Sequence, residues 1–191
     1  MRLDHVAYRV KDRDKTVQFF KDAFGYSEQA EFEINLEDGS TAKCMSLTPP
    51  EKSIESIPFI APVYHEGSQP SMSVKCEYHM SPELFVSAGP PGGLIDKWVD
   101  AWGRGVGGIH HLAYQVEDVR ATMKKWIEMG WLFTTNDALD CDDLTQVFSK
   151  PHPLTNVIYE FIQRRGQHGF CVGNVARLMG STAGLSDSNV A

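Results

Sequence analysis

The chain has 191 residues, 42% of them hydrophobic and 23% charged, the balance of a globular protein rather than a disordered or fibrous one. Eighteen Lys and Arg against 25 Asp and Glu give a formal charge of −7, and no basic cluster stands out, so the expectation is a small-molecule partner, with no nucleic acid and no membrane. No apolar run approaches the roughly 20 residues that span a bilayer, and the opening decapeptide alternates like a strand rather than a signal peptide, which predicts a cytoplasmic protein.

In chain order, Leu3 to Val10 alternates as a strand. Asp12 can then cap a helix whose Val17, Phe20 and Phe24 share a face before Gly25 stops it. Strands are predicted over Glu31–Leu36 and Ala42–Leu47. Pro49 to Ser81 carries five prolines and little periodicity, and reads as an inserted excursion, either a lid or a plain surface loop. A strand over Glu83–Ser87 follows, then Leu94, Ile95, Trp98, Val99 and Trp102 at helical spacing. The bend Gly103–Gly108 matches GxGxxG, but with a helix before it and a strand after it the match cannot present amides to a pyrophosphate. Beyond it come a strand over Ile109–Val116, a helix carrying Val119, Met123, Trp126 and Ile127 with Gly130 as its stop, and strands over Phe133–Thr135, Thr145–Ser149 and Val157–Gln163. Cys44, Cys76, Cys141 and Cys171 follow no CxxC spacing and are read as reduced.

This order repeats itself. Leu3-Asp-His-Val-Ala-Tyr-Arg-Val10 is echoed by Ile109-His-His-Leu-Ala-Tyr-Gln-Val116, and Glu83-Leu-Phe-Val-Ser-Ala-Gly89 by Glu160-Phe-Ile-Gln-Arg-Arg-Gly166. The fold class is therefore α+β: two βαβββ modules, residues 1–93 and 94–179, forming one incompletely closed eight-stranded sheet, with 180–191 as a flexible tail. Pairing of the modules through a pseudo-twofold would bring His5 to His111 and Glu83 to Glu160, with Ala7 and Ala113 leaving room beside the imidazoles. Strand alternation points Asp4 and His110 to the opposite face. Two imidazoles with one carboxylate suit Fe(II); a second carboxylate suits Mn, Co, Ni, Zn or Mg as a Lewis acid. Arg9 and Gln115, two residues beyond Ala7 and Ala113, are candidates to orient a substrate carboxylate. His65, His79, His152 and His168 lie among turn residues and are left as surface or outer groups.

These residues resemble the vicinal-oxygen-chelate, or glyoxalase-like, superfamily, whose fold is paired βαβββ modules around a divalent metal. Thr145-Gln-Val-Phe-Ser-Lys-Pro151, Tyr159-Glu-Phe-Ile-Gln-Arg-Arg-Gly166 and Gly169-Phe-Cys-Val-Gly-Asn174 resemble the C-terminal half of 4-hydroxyphenylpyruvate dioxygenase. That resemblance implies Glu160 as carboxylate ligand with His5 and His111, Gln146 facing the substrate, and Phe170 packing on its ring. It further implies Fe(II), O2 and a small 2-oxo acid. That family's additional N-terminal domain and gating C-terminal helix are not matched, and Val175 stands where it usually has Phe, so an incomplete aromatic pocket is expected. Leu94 to Val119 and Pro82 to Pro90 resemble methylmalonyl-CoA epimerase, which implies redox-neutral isomerase or lyase chemistry with Glu83 as a fourth ligand, as in glyoxalases. A dioxygenase-like domain of some 3-dehydroshikimate dehydratases is a third relative, and antibiotic-binding members imply a binding protein without turnover. The surplus of Trp98, Trp102, Trp126, Trp131, Phe19, Phe20 and Phe24 predicts either a homodimer face or burial under the insertion.

Overall fold

The computed structural model describes residues 1–50, 82–141, 143–165 and 170–185, and the backbone of 59–63 and 71–75. The first module comprises β1 (Arg2–Val10), α1 (Arg13–Phe24), β2 (Ser27–Asn35), β3 (Thr41–Thr48), the hairpin strands β4 (Phe59–Val63) and β5 (Ser71–Lys75), and β6 (Glu83–Ala88). After α2 (Leu94–Ala101) the second runs β7 (Gly107–Gln115), α3 (Val119–Glu128), β8 (Leu139–Cys141), β9 (Leu144–Phe148) and β10 (Ile158–Arg164), followed by α4 (Val172–Ser181). The helix signals read from the sequence are physical ones. The carboxylates of Asp12 and Asp118 accept from the backbone N–H groups of Lys15 and Ala121 at the two N-termini, and Gly25 closes α1 in the left-handed region at φ 73°.

Eight strands form one curled, open half-barrel in the order β2-β3-β6-β1-β7-β10-β9-β8. The order is symmetric about the antiparallel β1–β7 seam, with β6 and β10 running parallel to β1 and β7 respectively. The two modules thus meet edge to edge through their first strands, as the repeat requires. Gly107 makes the close approach at one end of the seam possible: its φ is 140°, and a Cβ there would sit 2.6 Å from the Arg9 carbonyl oxygen. On one sheet face Val6, Val10, Leu84 and Val86 pack with Val17 of α1, and Val147 and Phe161 with Val119 and Met123 of α3. The other face carries Ala7 and Phe85 against Trp98 and Val99 of α2 and Val175 and Met179 of α4.

Four expectations are corrected here. The strand expected at Phe133–Thr135 lies at Leu139–Cys141, and Phe133 makes only an isolated bridge to Ser149. The flexible tail expected from residue 180 is not found over 180–185: α4 runs to Ser181, a 3-10 turn spans Ala183–Leu185, and Thr182 is fully buried, while 186–191 lie outside the described residues. Cys141 and Cys171 are joined as a disulfide because the end of β8 and the residue that opens α4 converge, whereas Cys44 is free and buried. The aromatic surplus is mostly internal, with Trp98 in the core and Trp126 and Trp131 stacked on Phe161; Phe19 and Phe24 remain exposed. Of the insertion only its first two prolines and the β4–β5 hairpin are described, so its lid role, Cys76, His65 and His79 lie outside the described residues, as does His168.

Candidate metal centre

The β1–β7 register sets His5 opposite Ala113 and Ala7 opposite His111, so each imidazole faces the other strand's small alanine. Glu160 on β10 is in register with Ala113, which places its carboxylate beside both rings. The result is three buried donors: Glu160 Oε2 lies 3.3 Å from His5 Nε2 and 3.1 Å from His111 Nε2, and the two Nε2 atoms are 3.3 Å apart. Among the described residues these three form the one group of His, Cys, Asp or Glu side chains whose ligand atoms all lie within 4.8 Å of one another.

Each donor has its other polar atom held by a neighbour. His5 Nδ1 donates to Asp4 at 2.9 Å, and Asp4 is clamped in turn by Arg164 Nε and Nη2 at 2.9 and 2.7 Å. His111 Nδ1 lies 2.8 Å from His110 Nδ1. Gln146 Nε2 donates to Glu160 Oε1 at 2.7 Å, and its carbonyl accepts from Asn174 of α4 at 3.3 Å. The atoms left over, two Nε2 and Oε2, are the three that converge, an outer ring of contacts of the sort that fixes tautomer and orientation at metal sites.

The electrostatics agree. Burial alone would raise Glu160, but the charge of His5 and hydrogen bonds from both imidazoles hold it down at about 2. Burial opposes a charge on His5, yet Glu160 and Asp4 lift it to about 9. Burial, with Arg9 and His5 nearby, keeps His111 below the ordinary imidazole value despite the Glu160 hydrogen bond. Burial also works against Asp4, and hydrogen bonds from Arg164 and His5 overcome it, keeping the carboxyl ionised. The trio therefore shares a proton between the carboxylate and the imidazoles, one that a divalent cation would displace. Buried N and O donors with an anionic carboxylate fit such an ion.

Glu83 does not join this group. In β1–β6 it pairs with His5, and it is Phe85 that pairs with Ala7; in β7–β10 the residue paired with His111 is Ile158, and Glu160 pairs with Ala113. The pseudo-symmetric counterpart of Glu160 is thus Phe85, and Glu83 sits two residues, or about 6.6 Å, back along the strand. The Glu–Gly echo in the sequence aligned the wrong pair. Gln115 is also elsewhere: it accepts from Arg2 Nε at 2.8 Å in a separate groove. Arg9, Gln146 and Phe170 do line the cavity at the trio, with Ser87, His110, Phe148 and the α4 residues Val175, Leu178 and Met179. Phe170 packs edge-on to His5 and to Phe85, with ring centroids 5.0 and 5.1 Å away. His152 stacks on Trp131, remote from the cavity lining.

The sequence reading missed Asp4, His110 and Asn174. The first two were sent to the wrong face by strict alternation. Both fall at register shifts in the β1–β7 ladder, Asp4 between Leu3 and His5, and His110 opposite the Ala7–Tyr8 step. A bulge at each turns the extra residue back toward its neighbouring ligand.

A family model described as the Glyoxalase/Bleomycin resistance protein/Dioxygenase superfamily matches residues 4–147. Among solved structures, a triple mutant of 4-hydroxymandelate synthase from Streptomyces coelicolor is 19% identical with a TM-score of 0.70, covering 95% of this chain and 53% of its own. The chain thus spans about half the length of that synthase. A methylmalonyl-CoA epimerase is 23% identical with a TM-score of 0.58, covering 86% of this chain and 95% of its own. The epimerase from Mycobacterium tuberculosis is 19% identical with a TM-score of 0.57, at 85% and 87% coverage. No curated protein sequence matches the chain significantly. No helix among the described residues is long and apolar enough to cross a membrane.

Proposed function

Because the chain belongs to the glyoxalase/bleomycin resistance protein/dioxygenase superfamily, we propose that it is a metal-dependent dioxygenase acting on a small 2-oxo acid, with His5, His111 and Glu160 holding Fe(II). The observation that carries this reading is the three-donor set with an apolar ring, Phe85, where the fold's symmetry would place a fourth donor. Two imidazoles and one carboxylate are the ligand set associated with open-site non-haem Fe(II) chemistry. When bound, Fe(II) supplies the one-electron chemistry that lets O2 react with a 2-oxo acid.

The chain's own residues bind, orient and exclude water. Gln146 occupies Oε1 of Glu160 and leaves Oε2 for the ion, so it acts as a positioning residue with its amide engaged at both ends. Phe148, Phe170 and the α4 side chains Val175, Leu178 and Met179 give the cavity apolar walls, which keep bulk water from the reacting groups and strengthen polar contacts inside. Phe170 is set to face an organic substrate rather than the core alone. The cavity left at the trio is about 20 Å³, room for about one water, so an acid enters only as Phe170 and the α4 side chains give way. An epimerase-type reading would require a fourth ligand from the first module, and the register puts a phenylalanine there.

The test is oxygen uptake by anaerobically Fe(II)-loaded protein given a panel of aryl and alkyl 2-oxo acids. Uptake is expected only with both iron and a 2-oxo acid, is lost in Glu160→Ala and persists in Glu83→Ala. Protein shown to hold one iron that consumes no O2 with any member of the panel would contradict the reading.

A further inference from the structure

This inference rests on the reading above, in which the chelating end of the substrate lies at His5, His111 and Glu160. At the other end of the same cavity stands Arg9. It leaves β1 on the same face as His5, four residues on, or about 13 Å along an extended strand, and it pairs with Ser87 on one side and Gly108 on the other. Arg9 is 1% exposed and lines the cavity.

Its partners do not balance its charge. Nη2 donates to the Thr182 hydroxyl at 3.1 Å, while Nε and Nη1 are buried with no hydrogen-bond partner. Trp98 stacks with its ring centroid 5.7 Å from the guanidinium carbon. Cys44, the other titratable group felt by Arg9, is a buried thiol that burial pushes up to about 12 and so stays neutral. Among the described residues no carboxylate forms an ion pair with Arg9.

A second orphan stands close by. His110 Nδ1 lies 2.8 Å from His111 Nδ1. Its Nε2 is a buried atom with no hydrogen-bond partner. His110 lines the same cavity and packs on Trp98 like Arg9, with ring centroids 5.3 Å apart. Arg9 thus keeps two unused donor groups, and among the described residues no carboxylate is paired with it. A buried guanidinium in that state is unfavourable unless a ligand completes it.

We propose that Arg9 is an anion subsite for a second carboxylate, so that the substrate is a small 2-oxo diacid. The chelating carboxylate and keto oxygen bind at one end of the cavity and the distal carboxylate at the other. Thr182, at the end of α4, ties Arg9 to the helix that covers the cavity, so the same contact positions the guanidinium and holds the cover down.

The test is calorimetric binding of 2-oxoglutarate and 2-oxoadipate, and of methyl-ended 2-oxopentanoate and 2-oxohexanoate, to Co(II)-loaded wild type, Arg9→Met and Arg9→Lys. In wild type at least one diacid should bind ten-fold or more tightly than the monoacid of equal length. That preference should vanish in Arg9→Met and partly return in Arg9→Lys, with both variants still taking up one Co(II). Met removes a buried charge and keeps the bulk, so Arg9→Met should melt no lower than ligand-free wild type, which separates loss of preference from loss of fold. Equal binding of diacids and monoacids, no binding of either diacid, or a preference that survives in Arg9→Met overturns the proposal. An Arg9-dependent preference of the same size in chelator-stripped protein or in Glu160→Ala would keep the subsite and overturn the metal reading instead.

Discussion

Each candidate ligand is held by one neighbour that takes its second polar atom: Asp4 for His5, His110 for His111, Gln146 for Glu160. This division of labour predicts graded effects. Asp4→Asn should weaken metal affinity by about 10- to 100-fold, the usual effect of losing an outer contact to a ligand, whereas His5→Ala should abolish tight binding; competition titration against a chromophoric chelator reads both. Gln146→Leu should behave like Asp4→Asn, since Glu160 could then turn either oxygen toward the histidines. The meeting of the two candidate histidines was legible in the sequence because a His on a strand face recurred in both modules with a small residue beside it. Their supports were not, because alternation is blind to a bulge, and both Asp4 and His110 fall where the ladder slips by one residue.

Among the elements, α4 is the one that the sequence hid. Its segment contains Gly173 and Gly180 and leads into a run of small polar residues, a composition of poor helix propensity. Tertiary packing supplies what propensity lacks: Val175, Leu178 and Met179 are buried, and Asn174 bonds both Gln146 and the Leu139 carbonyl. The covalent link from Cys171, which opens the helix, to Cys141 pins that end as well, across a separation of 30 residues. Closing a loop of that length is worth about 3 to 4 kcal/mol in the unfolded-chain view. Reduction should therefore lower the denaturant midpoint by a comparable stability loss and speed proteolysis near Phe170, measured with and without reductant against a Cys141→Ser/Cys171→Ser control. An unchanged midpoint would show that packing alone holds α4. Most other elements were readable from periodicity and caps; β8 was displaced because Phe133, though strand-like, is used to pack on Phe161 rather than to extend the ladder.

At the scale of the molecule, duplication explains both what was foreseen and what was misjudged. The repeat implies the seam, the strand order and the meeting of His5 with His111, all of which follow from two like modules joined through their first strands. The same symmetry was over-extended to Glu83. Segments of different length, 49–82 and 149–157, lead into β6 and β10, so a shared Glu and Gly did not fix the register, and Phe85 rather than Glu83 is the counterpart of Glu160. The modules are alike in backbone and unlike in chemistry: one contributes a histidine and a cationic arm, the other a histidine and the carboxylate. Metal joining the two halves across the seam should stabilise the whole fold. Ligand at 100 times its Kd adds about 2.7 kcal/mol, so the melting temperature should rise on loading and fall back with chelator in wild type, and do neither in Glu160→Ala.

The central claim is a three-ligand site made by both modules, and metal stoichiometry tests it most directly. Equilibrium dialysis of wild type, Glu83→Ala and Glu160→Ala against Fe(II) under anaerobic conditions, with elemental analysis of the retained protein, should give one ion per chain for the first two and none held tightly by the third. Loss of the ion in Glu83→Ala, or its full retention in Glu160→Ala, would contradict the account.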